Sequence, residues 1–464
     1  MATVELKEVE LPDFGSPTVE PVIHARVYKA RIDAAIARAR AMNYNALVIY
    51  ADREHCANMA YLTGFDPRFE EALLILVQNR MPTIVIGNEC WTYSDISPVT
   101  SRKVLFQHFS LMGQPRDKSD MLDKVFRAEG ITKNSKVGIV GWKYYVDRRW
   151  TTPRQIIDAP AYIVDTLRAI TGNAALVENV ADIFMNPDNG LRAISEVDQL
   201  AIFEYAATIC SNSVKNILFG VKPGMTEYEG ARLMNLNGMP LSCHPVFVTG
   251  PRTAQGLSSP SSKIINRGEQ IAFACGIWGS LTCRAGFLVE SEKELYPAIQ
   301  DYVAKLVGPY FKAIAEWYST IGIGVKGGVL YDIIFRNIGS PFFGVTLNPG
   351  HLIHIDEWVH SPIFKGSQIE MKSGMAMQVD VIPATNSAYY TTNIEDTIVL
   401  ADEKLREEFA KKYPEAWGRI QARRKFMEEV IGIKLKPEVL PYSNMPAYLA
   451  PFILSPKKVM TLKS

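Results

Sequence analysis

Two stretches in the last third of the sequence decide its fold: NPGHLIHIDEWVHSPIF, residues 348–364, and SGMAMQVDVIPATNSAYYTTNIEDTIVL, residues 373–400. Both are rich in apolar residues and punctuated by Gly and Pro, and parts of the second have the pattern of strands. Three of the seven histidines lie in the first stretch, and two acids lie on strand-like runs of the second: His351, His354, His360, Asp380 and Glu395. A single histidine is usually a hydrogen-bonded core residue. The cluster as a whole indicates an active site.

Motifs in these stretches resemble those of the creatinase, aminopeptidase P and prolidase family, whose patterns are GHGxG, GMxxxxEP and RxEDT. The corresponding segments here are Gly350-His351, Gly374-Met375 and NIEDT at residues 393–397. Upstream, TGPRTA at residues 249–254 is similar to the family's SGxRSA. The motifs occur in the family's order over nearly the whole chain. This resemblance implies an N-terminal creatinase-type α/β domain followed by a C-terminal pita-bread domain of the α+β class.

Metal-dependent members of that family hold two divalent ions with two Asp on one hairpin, a His and two Glu. The corresponding hairpin here, residues 268–290, has Ala274 at the first Asp position and no Asp or Glu between its terminal acids. The second Asp position falls on Leu281, Cys283 or Ala285. His351 and Glu395 are kept, and Asp380 replaces a Glu. Because a dinuclear site needs several carboxylate oxygens, we expect neither a catalytic metal nor another cofactor.

Creatinase is the family's example of metal-free chemistry on a small C–N compound, with a His and Glu residues at its site. The sequence lacks the His that would follow the TGPRTA segment, since residues 255–259 read QGLSS. We predict a metal-independent, creatinase-like hydrolase of a C–N bond in a small charged amide, guanidino or cyclic amidine compound. His351 is the expected proton carrier, and Glu395 and Asp380 orient it or the substrate.

Other functions stay open from the sequence. One is a metal-dependent Xaa-Pro peptidase-like or lyase activity at an atypical site, and another is a catalytically dead binding protein. Cys283 adds a third, because a thiolate with His351 and a carboxylate suits zinc and a Cys–His pair suits nucleophilic catalysis. A buried cysteine that fills the place of an Asp is the simpler interpretation.

Substrate contacts are expected from Cys283, Arg252 and His360, and from a turn at residues 63–71 that carries Arg68 and Phe69. In the resembling family, such a turn from the partner subunit reaches into the active site. We therefore predict a homodimer with active sites near the subunit interface. A plain surface turn, begun by Asp66-Pro67, explains the same residues equally well.

Composition limits the other partners and the location. The chain has 464 residues, 47% hydrophobic and 21% charged, and a formal net charge of +1. This is typical of a soluble globular protein of two or three domains, and it gives no electrostatic reason for binding nucleic acid or an anionic membrane. The acidic N-terminal sequence and the six irregularly spaced cysteines favour a cytosolic protein with reduced thiols.

Local patterns predict the domain division. Strand-like runs at residues 46–50, 72–77, 83–87 and 136–140 alternate with helical patterns at residues 26–43 and 152–170, which indicates an α/β domain over residues 1–185. Turn-forming residues 186–190 lead to the second domain, residues 191–432. In that domain Ser195 with Asp198, and Thr226 with Glu229, are predicted helix caps. Residues 402–432 read as a charged helix interrupted near Pro414, and residues 433–464, rich in Pro, as an extended arm.

Overall fold

The computed structural model describes residues 3–463 and divides the chain into two compact units, Ile23–Arg192 and Met1–Val22 with Ala193–Ser464. The first strand, β1 (Val4–Glu8), belongs to the larger unit. The division predicted at residues 185 and 432 stays a prediction. No helix within residues 3–463 is both long and apolar enough to cross a membrane.

The unit Ile23–Arg192 contains a six-stranded sheet in the order β5-β4-β3-β2-β6-β7, in which β2, β6 and β7 run parallel. Its strands are β2 (Ala46–Ala51), β3 (Ala72–Val77), β4 (Thr83–Ile86), β5 (Arg102–Leu105), β6 (Val137–Val140) and β7 (Val177–Asn179). Its helices are α1 (Ala25–Ala41), α2 (Ala57–Thr63), α3 (Cys90–Tyr93), α4 (Leu122–Ala128), α5 (Ala161–Thr171) and α6 (Asp182–Met185). The central strands β2 and β3 are runs of hydrophobic residues, all buried except the half-buried Val77, as expected for strands covered on both faces.

Most predicted elements of this unit are confirmed, and one helix boundary is wrong. Helix α1 and the four predicted strands lie within two residues of their expected bounds. The helix predicted from residue 152 begins only at Ala161, after a short 3-10 turn at Pro153–Gln155. Pro160 explains the difference, because the residue before a proline is disfavoured in the α conformation and a proline is tolerated only at a helix start.

The larger unit is built on an antiparallel sheet in the order β11-β12-β13-β10-β9-β8, with β14 also paired to β13. Its strands after β1 are β8 (Leu241–Thr249), β9 (Gln270–Ile277), β10 (Ser280–Phe287), β11 (His351–Leu352), β12 (Ala376–Asp380), β13 (Asn393–Leu400), β14 (Val439–Pro441) and β15 (Lys458–Leu462). Its helices are α7 (Val197–Gly220), α8 (Glu227–Arg232), α9 (Gly308–Thr320), α10 (Gly327–Ile338), α11 (Glu403–Lys412) and α12 (Pro414–Phe426). The break between α11 and α12 at Pro414 confirms the predicted interruption.

Helix α7 covers one face of this sheet. Cys210 of α7 contacts Cys275 of β9, with the two sulfur atoms 3.9 Å apart. Neighbouring residues on a strand point to opposite faces, so Ala274 points away from α7. The helix thereby leaves the other face of β9 and β10 available for a site.

The two predicted helix caps differ in outcome. Thr226 and Glu229 form the expected capping box at α8, since Thr226 Oγ1 accepts from the Glu229 backbone N–H and the Glu229 carboxylate accepts from that of Thr226. The cap predicted at Ser195 is wrong, because Glu196 precedes the first residue of α7 and no side chain caps the helix. Asp198 instead accepts a hydrogen bond of 2.6 Å from the Tyr413 hydroxyl.

The C-terminal residues pack within the larger unit. Strand β14 extends the main sheet beside β13, and β15 pairs antiparallel with β1. Tyr442 and Tyr448 between these two strands are fully buried. The described residues 433–463 contain no helix, as their prolines predict.

Candidate active site

A row of directly opposed residues crosses five strands of the larger sheet. Val246 of β8 lies opposite Ala274, Ala274 opposite Cys283, Cys283 opposite Glu395, and Glu395 opposite Asp380. Residues opposite one another in antiparallel strands point to the same face. The end of the row on β8, β9 and β10 therefore carries apolar side chains and a thiol, and the end on β13 and β12 carries two acids. The pairing also settles the open hairpin register, with Cys283 directly between Ala274 and Glu395.

His351 completes the acidic side from the short strand β11. Its side chain is 0% exposed, and its Nδ1 lies 3.2 Å from the Leu352 carbonyl oxygen. The opposite ring atom, Nε2, lies 3.1 Å from Glu357 Oε1, 3.7 Å from Glu395 Oε1 and 3.9 Å from Asp380 Oδ2. None of these contacts has the alignment of a hydrogen bond. One imidazole thus faces three carboxyl groups, and we call His351, Glu357, Asp380 and Glu395 the acid–histidine cluster.

Two members of this environment were not identified from the sequence as site residues. Glu357 makes the shortest ion-pair contact of His351, and the Trp358 ring stacks on the imidazole with centroids 4.1 Å apart and planes at 20°. Both lie on the loop that follows β11. The only sequence signal for Glu357 was its place within the histidine-rich stretch.

Burial and crowding shift the pKa values of the cluster. Burial raises the pKa of Asp380 to about 6 against the attraction of His351. Burial and the charge of Asp380 raise the pKa of Glu395 well above its ordinary value. Burial opposes protonation of His351, but the carboxylates of Glu357, Glu395 and Asp380 outweigh it and raise its pKa. Asp380 Oδ1 is buried without a hydrogen-bond partner. The cluster therefore holds more acid than its one imidazole neutralises.

A cavity of about 690 Å³ opens onto this row. Glu357, Asp380 and Glu395 line it on one side, with Trp358 beside them. The opposite side, which we call the apolar wall, consists of Val246, Ala272, Ala274, Leu281, Cys283 and Ala285. A loop with neutral polar groups closes the remainder, and includes Thr385, Asn386 and Ser387. His351, expected to be the proton carrier, is absent from the lining and lies behind the carboxyl groups.

The other predicted substrate residues have different surroundings. Arg252 pairs with the buried carboxylate of Glu227 and donates to Ser261 Oγ at 3.0 Å. His360 Nδ1 lies 3.1 Å from the Ser361 carbonyl oxygen, and burial lowers the pKa of His360. Among the described residues that line the cavity, neither Arg252 nor His360 is present. Their expected substrate contacts stay predictions, and the geometry gives Arg252 a structural bond to Glu227.

Arg68 and Phe69 belong to the smaller unit. Arg68 has a left-handed backbone with φ of 56°, and its guanidinium lies 4.8 Å from the centre of the Tyr93 ring. Its Nε is 3.6 Å from Asp66 Oδ1, and the Phe69 side chain is largely exposed. The turn predicted at Asp66 is present, with the Arg68 backbone N–H donating to Asp66 Oδ1. A role for these residues at an active site stays a prediction.

Solved structures of known proteins share this architecture. Prolidase from Thermococcus sibiricus superposes with a TM-score of 0.62 at 18% identity, covering 81% of this chain and 95% of that one. Prolidase from Pyrococcus horikoshii OT3 gives 0.61 at 16% identity, covering 80% and 95%, and dipeptidase PepE from Mycobacterium ulcerans gives 0.60 at 18%, covering 82% and 94%. The chain has the pita-bread fold. No protein-family model and no curated protein sequence matches the chain.

The comparisons confirm the fold that the sequence motifs implied, an N-terminal α/β part followed by the pita-bread part. At these sequence identities, the structural similarity establishes the fold but not an activity.

A dinuclear metal centre does not fit these residues. Ala274 has no donor atom, and its neighbour in the row, Cys283, has a thiol where a dinuclear site would need a bridging or chelating carboxylate. Asn393 Nδ2 lies 3.1 Å from Cys283 Sγ. Within the described residues, three side chains do form a compact set of donors, with atoms of His351, Asp380 and Glu395 within 4.8 Å of one another. Such a set suits a single ion.

Proposed function

We propose that the protein is a metal-independent, creatinase-like hydrolase that cleaves a C–N bond in a small charged amide, guanidino or cyclic amidine compound. The observation that carries this proposal is the row in which Ala274 and Cys283 adjoin Glu395 and Asp380 at the floor of one cavity. The row keeps carboxyl groups for acid–base chemistry but lacks the donors for two metal ions. The shared fold with prolidases and a dipeptidase supports a hydrolase in the broader sense.

The cavity carboxyl groups have surroundings that suit different proton-transfer roles. Asp380, with a pKa of about 6, is ionised at neutral pH and accepts a proton from the attacking water. Glu395, whose pKa is raised by burial and by Asp380, donates a proton to the leaving nitrogen. Water adds to the carbon as the C–N bond breaks, and transfer of a proton from Asp380 to Glu395 restores the starting state.

His351 acts through these carboxyl groups. Its side chain is fully buried, and its Nε2 lies between 3.1 and 3.9 Å from all three acids. A protonated imidazole at that position attracts the carboxyl groups of the cluster to one point and partly offsets their repulsion. We assign it a positioning role, in place of direct contact with the substrate.

A second candidate is a hydrolase or lyase that uses one metal ion, including an atypical Xaa-Pro peptidase. The observation in its favour is the compact donor set of His351, Asp380 and Glu395. Imidazole nitrogen and carboxylate oxygen are both ligands of zinc, and a catalytic zinc ion uses three protein ligands. When bound there, the ion would supply Lewis-acid polarisation of the bond to be cleaved.

One assay separates these candidates. Protein purified without added metal is tested with and without a chelator against small amides, guanidino compounds and Xaa-Pro dipeptides, alongside elemental analysis. The proposal expects turnover of an amide or guanidino compound that the chelator leaves unchanged. Turnover lost on chelation and restored by one near-equimolar metal would overturn it in favour of the single-ion enzyme. Binding of such compounds with no turnover under either condition would identify a binding protein.

We further propose a cytosolic homodimer in which Arg68 and Phe69 of one subunit contribute to the site of the other. Two observations support this arrangement. The family that the sequence resembles places such a turn of one subunit in the active site of the other, and both side chains are exposed at the turn. Analytical ultracentrifugation at micromolar concentration is expected to give a dimer, and Arg68→Ala to weaken ligand binding without changing the melting temperature. A monomer, or an unchanged ligand affinity, would contradict this arrangement.

A further inference from the structure

The charges around the cavity have one sign apart from the buried imidazole. Three carboxyl groups, from Glu357, Asp380 and Glu395, line the cavity, and the described lining residues include no Lys or Arg. Asp380 is 6% exposed, and its Oδ1 has no hydrogen-bond partner although it is buried. A buried carboxylate oxygen without a donor is costly unless a ligand supplies one. The cavity therefore lacks a positively charged donor at this point.

The cation next to this row in sequence is turned away from it. Arg284 follows Cys283 on β10 and so points to the other face of the sheet. There its guanidinium contacts both carboxylate oxygens of Asp396 at 2.8 and 3.0 Å and donates to the Tyr448 carbonyl oxygen. Its charge is already matched, which leaves the cavity acids without an arginine.

The rest of the cavity lining indicates which substituent a bound cation would have. The apolar wall presents only methyl, isobutyl, isopropyl and thiol groups. Ala274 and Ala285 are small, so the space beside the acids is open to a ligand. Trp358 and Tyr390 add aromatic surface, which attracts cations as well as apolar groups. A small hydrated metal ion uses none of this surface.

We propose that the cavity binds an organic monocation with an apolar substituent and no carboxylate, its charged nitrogen against Asp380, Glu395 and Glu357 and its hydrocarbon part against the apolar wall. The assignment rests on the proposed function and narrows its substrate class to alkyl- or aryl-substituted guanidines and amidines and to amides that carry a cationic nitrogen. It excludes guanidino acids and free dipeptides as good ligands, because their carboxylate would enter a cavity that already holds three acids and no Lys or Arg.

Calorimetric titration with matched compounds tests this assignment. N-alkylguanidinium ions from methyl to hexyl are compared with guanidino acids of the same chain length and with alkanoates. We expect the alkylguanidinium ions to bind at least about tenfold more tightly than the matched guanidino acids, a difference of about 1.4 kcal/mol. Affinity should rise by about fourfold per added methylene until the wall is covered. Equal or tighter binding of the guanidino acids, or no dependence on chain length, would overturn the assignment.

Variants locate the two halves of the site. Glu357→Gln is expected to weaken the binding of every cation by at least about tenfold, because it removes one carboxylate from the charged side of the cavity. Ala274→Leu is expected to weaken the hexyl compound strongly and the methyl compound little, since it fills the wall and leaves the acids intact. A uniform loss across the series in Ala274→Leu would contradict the placement of the hydrocarbon part. Displacement of bound hexylguanidinium by stoichiometric zinc or manganese would overturn the proposal in favour of a metal site.

Failure of this inference is distinguishable from failure of the proposed hydrolysis. If the cations bind with the expected selectivity but no amide or guanidino compound is cleaved, the ligand class stands and the hydrolase does not. If a carboxylate-bearing compound is cleaved without metal, the hydrolase stands and the ligand class does not. No binding of hexylguanidinium at millimolar concentration would overturn the ligand class alone.

Discussion

Strands β10 and β13 carry two residue pairs on opposite faces of the sheet, a diagonal pair of Arg284 with Asp396 and a directly opposed pair of Cys283 with Glu395. On one face, Arg284 and Asp396 are both buried, and the guanidinium contacts both carboxylate oxygens. On the other face, one position earlier on each strand, Cys283 lies opposite Glu395. Glu395 is 5% exposed, and the histidine near it, 3.7 Å away, also faces Glu357 and Asp380. We call these the paired face and the cavity face.

This difference indicates that Asp396, and not Glu395, is the buried acid that stabilises the fold. The paired face has matched charges and extra hydrogen bonds, which is what a buried ion pair requires to be tolerated. The cavity face has more acids than cations and an open volume beside it, which is typical of a site that a ligand completes. Adjacent residues in one motif, Glu395 and Asp396, therefore have separate roles.

The largest expected effect is on the paired face. Asp396→Asn leaves the Arg284 charge buried without its counterion, so we expect the free energy of unfolding to fall by about 3–5 kcal/mol. Urea unfolding followed by circular dichroism measures the change. The double variant Arg284→Met with Asp396→Leu should recover part of the loss, because both charges are removed together.

A stability loss below about 1 kcal/mol in Asp396→Asn would be that of an ordinary surface position. In that case the ion pair of Arg284 and Asp396 would not stabilise the fold, and Asp396 and Glu395 would no longer differ in role.

The second effect is on catalysis at the cavity face. Glu395→Gln keeps the shape of the side chain and removes its proton transfer, so turnover should fall by at least about 100-fold, the lower end of general acid–base contributions. Its free energy of unfolding should change by less than about 1 kcal/mol, because burial and the charge of Asp380 already favour the neutral form of Glu395, which Gln resembles in shape and charge. Steady-state kinetics and urea unfolding on the same preparation give both numbers.

Asp396→Asn is the matched control for this variant, since the two residues are adjacent and both are buried. If Glu395→Gln unfolds the protein while its folded fraction stays active, Glu395 is structural. The cavity would then belong to a catalytically dead binding protein.

Much of this arrangement could be predicted from the sequence, and the features that could not be predicted have physical explanations. The GM turn and the EDT motif placed Asp380 and Glu395 on strands correctly. The position of Cys283 stayed open because registers that differ by two residues put the same side chains on the same face. The short turn at Trp278 and Gly279 fixes it, with Ile277 paired to Ser280 and Gly279 at φ of 101°.

Other features depend on tertiary contacts that no local pattern encodes. Glu357 and Trp358 lie on an irregular loop, and only the folded chain brings them onto His351. Arg252 also forms an ion pair with the buried Glu227, twenty-five positions earlier, which the sequence pattern did not indicate, and its substrate contact stays a prediction. The burial of His351 likewise depends on that irregular loop, because β11 is an edge strand of the sheet and Trp358 covers the imidazole ring.

The third effect asks whether the apolar wall is what prevents metal binding. Ala274→Asp with Cys283→Asp places two carboxylates beside Glu395. Without metal, we expect the added acids to lower the free energy of unfolding by about 1–3 kcal/mol, the range of most destabilising substitutions, because both positions adjoin the cavity and acids there can take up protons. Divalent manganese or zinc should then raise the melting temperature of this variant, because binding only to the folded state stabilises it. The parent protein should show a much smaller rise.

Ala272→Asp with Ala285→Asp is the control, since these two alanines also lie opposite each other and line the same cavity, but pair next to Asn393 instead of Glu395. An equal metal-induced rise in the control would show that any added acid suffices. The residues at Ala274 and Cys283 would then not be what prevents metal binding on the cavity face.

The smallest expected effect tests whether Cys283 takes part in chemistry or only fills space. Its Sγ lies 3.1 Å from the Asn393 side-chain nitrogen, and its thiol is neutral because burial and the nearby acids raise its pKa. A neutral thiol is a poor nucleophile, so Cys283→Ser should change turnover by less than about threefold, which is under 1 kcal/mol in barrier height. Iodoacetamide at pH 8 should modify Cys283 slowly, as it should Cys243, whose pKa burial raises to about 11. Cys243→Ser is the matched control, because that thiol also lines the cavity but lies outside the row. A loss of activity in Cys283→Ser alone, together with rapid alkylation of Cys283 that the substrate prevents, would make this thiol a nucleophile and move the chemistry from the acids to the position between Ala274 and Glu395.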